Sequence, residues 1–109
     1  MAEGRMIVMT NPVAPERDAD YNQWYNEIHA VEVVALPGFK SMTRYRTKTQ
    51  ILPAAETPHY RYAAIYEMSD VDLALQSMAA AAPQMRMTDA IDAKDVYEVI
   101  IEPIFSYSK

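Results

Sequence analysis

Apolar residues along this chain switch between two spacings, and the switches mark its elements. The first run, Arg5 to Thr10 (RMIVMT), is short, apolar and partly β-branched, and NPVAP closes it, so a strand is predicted. From Tyr21 the interval becomes helical: Tyr21, Trp24, Tyr25, Ile28, Val31 and Ala35 recur on one side. Asp18 and Asp20 stand where an N-cap and first turn favour acids. Pro37 disfavours a helical Leu36, and Gly38 suits the position just past the end. A helix from about Asp18 to Ala35 follows.

Alternation then returns in FKSMTRYRTK. Phe39, Ser41, Thr43, Tyr45 and Thr47 face one way, and Lys40, Met42, Arg44, Arg46 and Lys48 the other. After a loop in TQILPAAETP, HYRYAAIYEM reads as a third strand with Tyr60, Tyr62, Ala64, Tyr66 and Met68 on one face. SDVDLALQSMAAAA is an alanine-rich helix capped by Ser69 or Asp70 and stopped near Pro83. The chain closes with VYEVIIEPIFSY, read as a long strand. Pro103 cannot donate to a ladder there and so predicts a sheet edge or a bulge.

The order β-α-β-β-α-β is the split βαβ pattern of a ferredoxin-like α+β domain, one domain over residues 1–109. Two helices cover only one face of a four-stranded sheet. The other face would show Tyr, Met, Ile or Val to water, and a second copy packed through a two-fold axis is the expected remedy. The pattern therefore predicts a homodimer.

Composition narrows the chemistry. A net charge of -5 argues against nucleic acid, which needs basic patches. The chain has no Cys, hence no disulfide frame, thiol nucleophile or thiolate metal site. Its two His residues, far apart and without a ligand cluster, predict no dedicated metal site. Only two glycines occur, so no glycine-rich phosphate loop exists, and no GxSxG supports a hydrolase triad. No apolar run approaches a membrane span, and the first residues lack signal-peptide character; a cytoplasmic protein without a membrane partner is expected.

WYNEIHAVEVVALPGF, followed by RYR at Arg44 to Arg46, resembles the EthD-like branch of the dimeric α/β-barrel superfamily. The matching positions are Trp24, Tyr25, His29, Glu32, Leu36, Pro37, Gly38, Phe39 and Arg44. The pattern departs at Val31, where many relatives have Pro after the His; that change should leave the helix less distorted. The resemblance implies a ferredoxin-like βαββαβ protomer forming a homodimeric α/β barrel. It leaves the reaction open, since the superfamily includes polyketide cyclases, lactone isomerases, cofactor-free monooxygenases, haem enzymes and stress-response proteins.

On a regular helical wheel Glu32 falls inside the apolar arc and His29 at its margin, one turn before it. An acid in a buried stripe is a local violation of the kind found at functional sites. A carboxylate one turn away can orient an imidazole for acid–base work. The same pair could instead merely fix the helix against the sheet. Trp24 and Tyr25 are candidates to stack on an aromatic ligand, or core residues. Tyr62 and Tyr66 are candidates to donate hydrogen bonds to it, or they fill an interface. Arg44 could hold a carboxylate or phenolate, while Arg46 reads as surface charge and His59 as exposed.

The expectation is cofactor-independent lyase, isomerase or cyclase chemistry on a small aromatic or polyketide-like substrate. His29 would move the proton, Glu32 orient it, Tyr62 or Tyr66 donate, and Arg44 hold an anionic group. The alternatives are a non-catalytic dimeric metabolite-binding protein and a haem- or oxygen-using member of the same fold.

Overall fold

In the computed structural model, which describes residues 2–109, four antiparallel strands form one sheet in the order β2-β3-β1-β4. The strands are β1 (Gly4–Thr10), β2 (Phe39–Arg46), β3 (Tyr62–Met68) and β4 (Tyr97–Ile101). A continuous helical rod, residues 18–34, joins β1 to β2. It comprises α1 (Asp18–Trp24), a π-helical turn (Tyr25–His29) and α2 (Ala30–Val34). Helix α3 (Val71–Ala81) joins β3 to β4, and the Asp70 side chain caps it by accepting from the Leu73 N–H at 3.2 Å. This is the ferredoxin-like α+β arrangement that the element order predicts.

β1 and β3 alternate strictly. Gly4, Met6, Val8 and Thr10 are buried on the helix side together with Tyr62, Ala64, Tyr66 and Met68. The opposite face carries Ile7, Met9, Ala63, Ile65 and Val99, and no helix lies over it. The Leu-Pro-Gly exit ties the rod to both neighbours. Gly38 has φ 92°, and a Cβ there would sit 2.4 Å from the Ala74 backbone nitrogen, so only glycine lets α3 come this close. The Gly38 carbonyl also accepts the Ser69 N–H at 2.9 Å.

Five expectations are corrected. In β2, Phe39 does not share a face with Ser41, Thr43 and Tyr45. A bulge between Phe39 and Ser41 resets the register, so buried Phe39 lies on the helix side with Met42 and Arg44. In the rod, Val31 is 61% exposed and Ala35 is exposed, while Ala30 and Val33 are buried. The π turn is the cause. The Ala30 N–H reaches the Tyr25 carbonyl, which adds a residue to the turn and moves the apolar stripe on by about one position. Lacking a proline at Val31 therefore does not spare the helix a distortion. The third strand begins at Tyr62 rather than His59, where its partners β1 and β2 end at Thr10 and Arg46, and the Tyr60 hydroxyl donates to Asp95 Oδ1 at 2.9 Å. The last strand ends at Ile101, two residues before Pro103, and residues 102–109 continue without regular structure. As expected of a proline-broken strand, β4 lies at the sheet edge.

Candidate functional site

The space between rod and sheet is lined with hydroxyls rather than hydrocarbon alone. Tyr21 and Tyr25 come down from the rod, Tyr62 and Tyr66 rise from β3, Thr10 ends β1, and Arg44 enters from β2. The Thr10 and Tyr21 hydroxyls share a short, buried hydrogen bond. The Tyr66 and Tyr25 hydroxyls share one of 3.1 Å. The Tyr62 hydroxyl donates to Asp18 Oδ1 at 2.5 Å and accepts from Asn22 Nδ2 at 3.1 Å. Burial raises the phenols of Tyr21, Tyr25 and Tyr66, that of Tyr66 to about 12. All three hydroxyls therefore keep their protons at neutral pH and can donate.

Arg44 lies within this ring of tyrosines. Its guanidinium carbon is 4.4 Å from the Tyr25 ring centre, 5.4 Å from that of Tyr21 and 5.3 Å from that of Tyr62. Nη1 donates to Asn26 Oδ1 at 2.8 Å, whereas Nε and Nη2 are buried without a partner. Among the described residues no carboxylate forms an ion pair with Arg44. The ring faces offset part of the charge, each by about 0.5–2 kcal/mol, but supply no conventional acceptor.

His29, at the end of the π turn, stacks on Trp24 with centroids 4.7 Å apart and stands perpendicular to Tyr25 at 5.1 Å. Its Nδ1 is buried and unpartnered. Burial depresses the imidazole pKa, and the charge of Glu32 opposes that only in part, so the ring is neutral at pH 7.

Glu32 is not hydrogen-bonded to His29. Its Oε1 accepts the Arg86 N–H at 3.2 Å, while Trp24 Nε1 donates to the Arg86 carbonyl at 2.9 Å. Trp24 and Glu32 thus clasp the backbone of one residue, Arg86, in the segment that follows α3. The structure brings Tyr25, Arg44, Tyr62 and Tyr66 together and sets His29 against the far side of the group, with Tyr25 common to both. Arg46 and His59 are exposed, and His59 Nε2 lies 2.6 Å from Asp95 Oδ2.

Sequence reasoning passed over Thr10, Asp18, Tyr21, Asn22 and Asn26 as site residues. A signal existed: Asp18, Asn22 and Asn26 follow at four-residue intervals, a polar line beside the aromatic stripe. Two cavities lie elsewhere. One of ≈ 330 Å³ is bounded by Arg5, Lys40, Glu67 and Phe105, and one of ≈ 260 Å³ by Asn11, His59 and Asp92. Among the described residues no group of three or more His, Cys, Asp or Glu could hold a metal ion, and no helix is long and apolar enough to cross a membrane.

No protein-family model and no curated protein sequence matches the chain. Solved structures do. A Bacillus halodurans C-125 protein of the ethyl tert-butyl ether degradation (EthD) family superposes with a TM-score of 0.64 at 17% identity, covering 95% of this chain and 100% of that one. A Shewanella loihica PV-4 protein, described as a "putative monooxygenase", superposes with a TM-score of 0.61 at 16% identity, covering 96% and 97%. The chain has the fold of these proteins. The resemblance read from residues 24–39 and Arg44 thus extends to the whole architecture.

Proposed function

We propose that the protein is a cofactor-independent acid–base catalyst, a lyase, isomerase or cyclase, for a small oxygenated aromatic or polyketide-like molecule. The observation that carries this reading is a neutral, half-buried imidazole with an enclosed, free Nδ1 and, across the Tyr25 ring, a half-buried guanidinium with free N–H groups. A neutral imidazole is a competent base at pH 7. It would remove a proton from a carbon next to a carbonyl, and the developing oxyanion would be met by Arg44 and a tyrosine hydroxyl from Tyr62 or Tyr66. Trp24 and Tyr25 form the aromatic wall. Glu32 acts on His29 through its charge and through the Arg86 clasp rather than through a hydrogen bond.

The active form is a homodimer whose sheets close on each other through the uncovered face. Ile7, Ile65 and Val99 lie at its centre, with Tyr45, Tyr97 and Ile101 exposed around them. The apolar tail supports this reading: Ile104 is 98% exposed, Phe105 81% and Tyr107 87%.

A second reading, non-catalytic binding of a metabolite, is favoured by the structural use of Trp24 and Glu32 on Arg86. Carbon-acid exchange separates the two. In D₂O, the wild type should accelerate deuterium uptake into enolisable aromatic ketones, followed by NMR. His29→Ala should bind them and exchange nothing. Exchange that survives in His29→Ala removes the role given to that residue, and binding without exchange in the wild type favours the second reading.

A further inference from the structure

Arg44 is the most unusual group in the molecule. It is a half-buried cation with no carboxylate partner among the described residues, and its two enclosed, unpartnered atoms are not an arbitrary pair. Nη1 is taken by Asn26, leaving Nε and Nη2. In a planar guanidinium these two N–H groups lie on the same edge and point in parallel, which is the side-on fork that grips both oxygens of a carboxylate. Asn26 comes from the π turn and the Tyr25 ring packs 4.4 Å above, so the plane of the fork is held from two sides. Buried donors left open in this way cost stability, and a carboxylate relieves both the unmade hydrogen bonds and the unpaired charge. A neutral carbonyl would answer the hydrogen bonds but not the charge.

We infer that the Nε–Nη2 edge of Arg44 is a carboxylate-binding fork, and that the ligand is a planar, unsaturated or aromatic monocarboxylate. This rests on reading the tyrosine–arginine cluster as the site, and it names the group by which a ligand is held there. Asn26 is a positioning residue: it occupies Nη1 and so determines which edge faces the ligand.

Benzoate and its neutral isostere benzamide are the probes, at matched ionic strength. Titration followed by NMR should show benzoate binding at least tenfold tighter than benzamide. The ¹⁵N–¹H signal of Arg44 Nε should move on addition of benzoate alone, a readout that needs no variant. Arg44→Lys keeps the charge but loses the fork, and should weaken benzoate at least tenfold while leaving benzamide unchanged. Asn26→Asp, which offers Nη1 an internal carboxylate, should weaken benzoate by a smaller factor. Equal affinity for the two probes, no benzoate binding up to its solubility, or an Arg44 Nε signal unmoved at saturation would each overturn the fork and leave Arg44 a self-contained post on the tyrosine faces. The proposed catalysis fails separately: Arg44-dependent benzoate binding without carbon-acid exchange keeps the fork and removes the enzyme. Exchange without a preference for carboxylate does the reverse.

Discussion

On the covered face of the sheet, Tyr62 and Tyr66 bury hydroxyls that Asp18, Asn22 and Tyr25 answer, and half-buried Arg44 encloses two N–H groups without a hydrogen-bond partner. On the uncovered face, Ile7, Ile65 and Val99 are only half-buried, and Tyr45 and Tyr97 are each 50% exposed. Several hydroxyls and one guanidinium thus sit within the core beneath the helices, while part of the outward face is hydrocarbon, and neither favours the stability of one isolated protomer. Under the proposed function, each face has a different task. A polar, hydrogen-bonding interior with open donors suits a small ligand, and a flat apolar exterior suits another protein surface.

The contrast can be broken first through stability. Tyr66→Ala should cost about 3–5 kcal/mol in urea titration, because it empties a fully enclosed site against Phe39 and Tyr25. Ile65→Ala, one residue away on the other face, should cost a monomeric protein far less. Equal losses would mean that the two faces are covered alike. Tyr66→Phe should fall between them, at about 1–2 kcal/mol, since it strands the Tyr25 hydroxyl.

Assembly offers a second cut. Ile65→Lys should preserve the circular dichroism spectrum but move the sedimentation coefficient to that of a single chain. Persistence of dimers in that variant would place the contact elsewhere.

A smaller effect concerns Glu32. Its replacement by Ala should lose about 1 kcal/mol, through the Arg86 N–H that it accepts. The charge of Glu32 also raises the His29 pKa, so Glu32→Gln should lower the His29 midpoint further in an NMR titration.

The gentlest test is pH. The folded-state pKa of His29 is depressed, so the unfolded chain binds the proton more readily. Stability from this source is complete above the unfolded value near 6.5 and drains away as pH falls toward the folded value. His29→Asn should flatten that part of the melting-temperature profile. If the wild-type slope is unchanged in the variant, His29 is not the buried group that titrates there.

The convergence of much of the candidate cluster was legible in the linear pattern, because aromatic residues at helical and strand intervals announce a shared interior. Tyr25, Tyr62, Tyr66 and Arg44 do converge. The relation of Glu32 to His29 was not legible. A wheel assumes 100° per residue, and one π turn between Tyr25 and His29 breaks that assumption just before Glu32. The same turn exchanged Val31 for Val33 in the core. In β2, a single bulge turned Phe39 to the helix side, where Arg44 also points, which alternation alone would have forbidden.

Element order, the ferredoxin-like topology and the glycine at position 38 follow from local chemistry: hydrophobic period, capping acids and the proline–glycine break act over a few residues. The partners of each buried polar group do not. Whether Arg44 meets a carboxylate or three phenol rings, and whether Glu32 turns to His29 or to the Arg86 peptide, depends on chain segments 18 to 54 residues apart. Only the packed structure brings those segments together, because no local rule fixes the phase of a helix once one extra residue enters its turn.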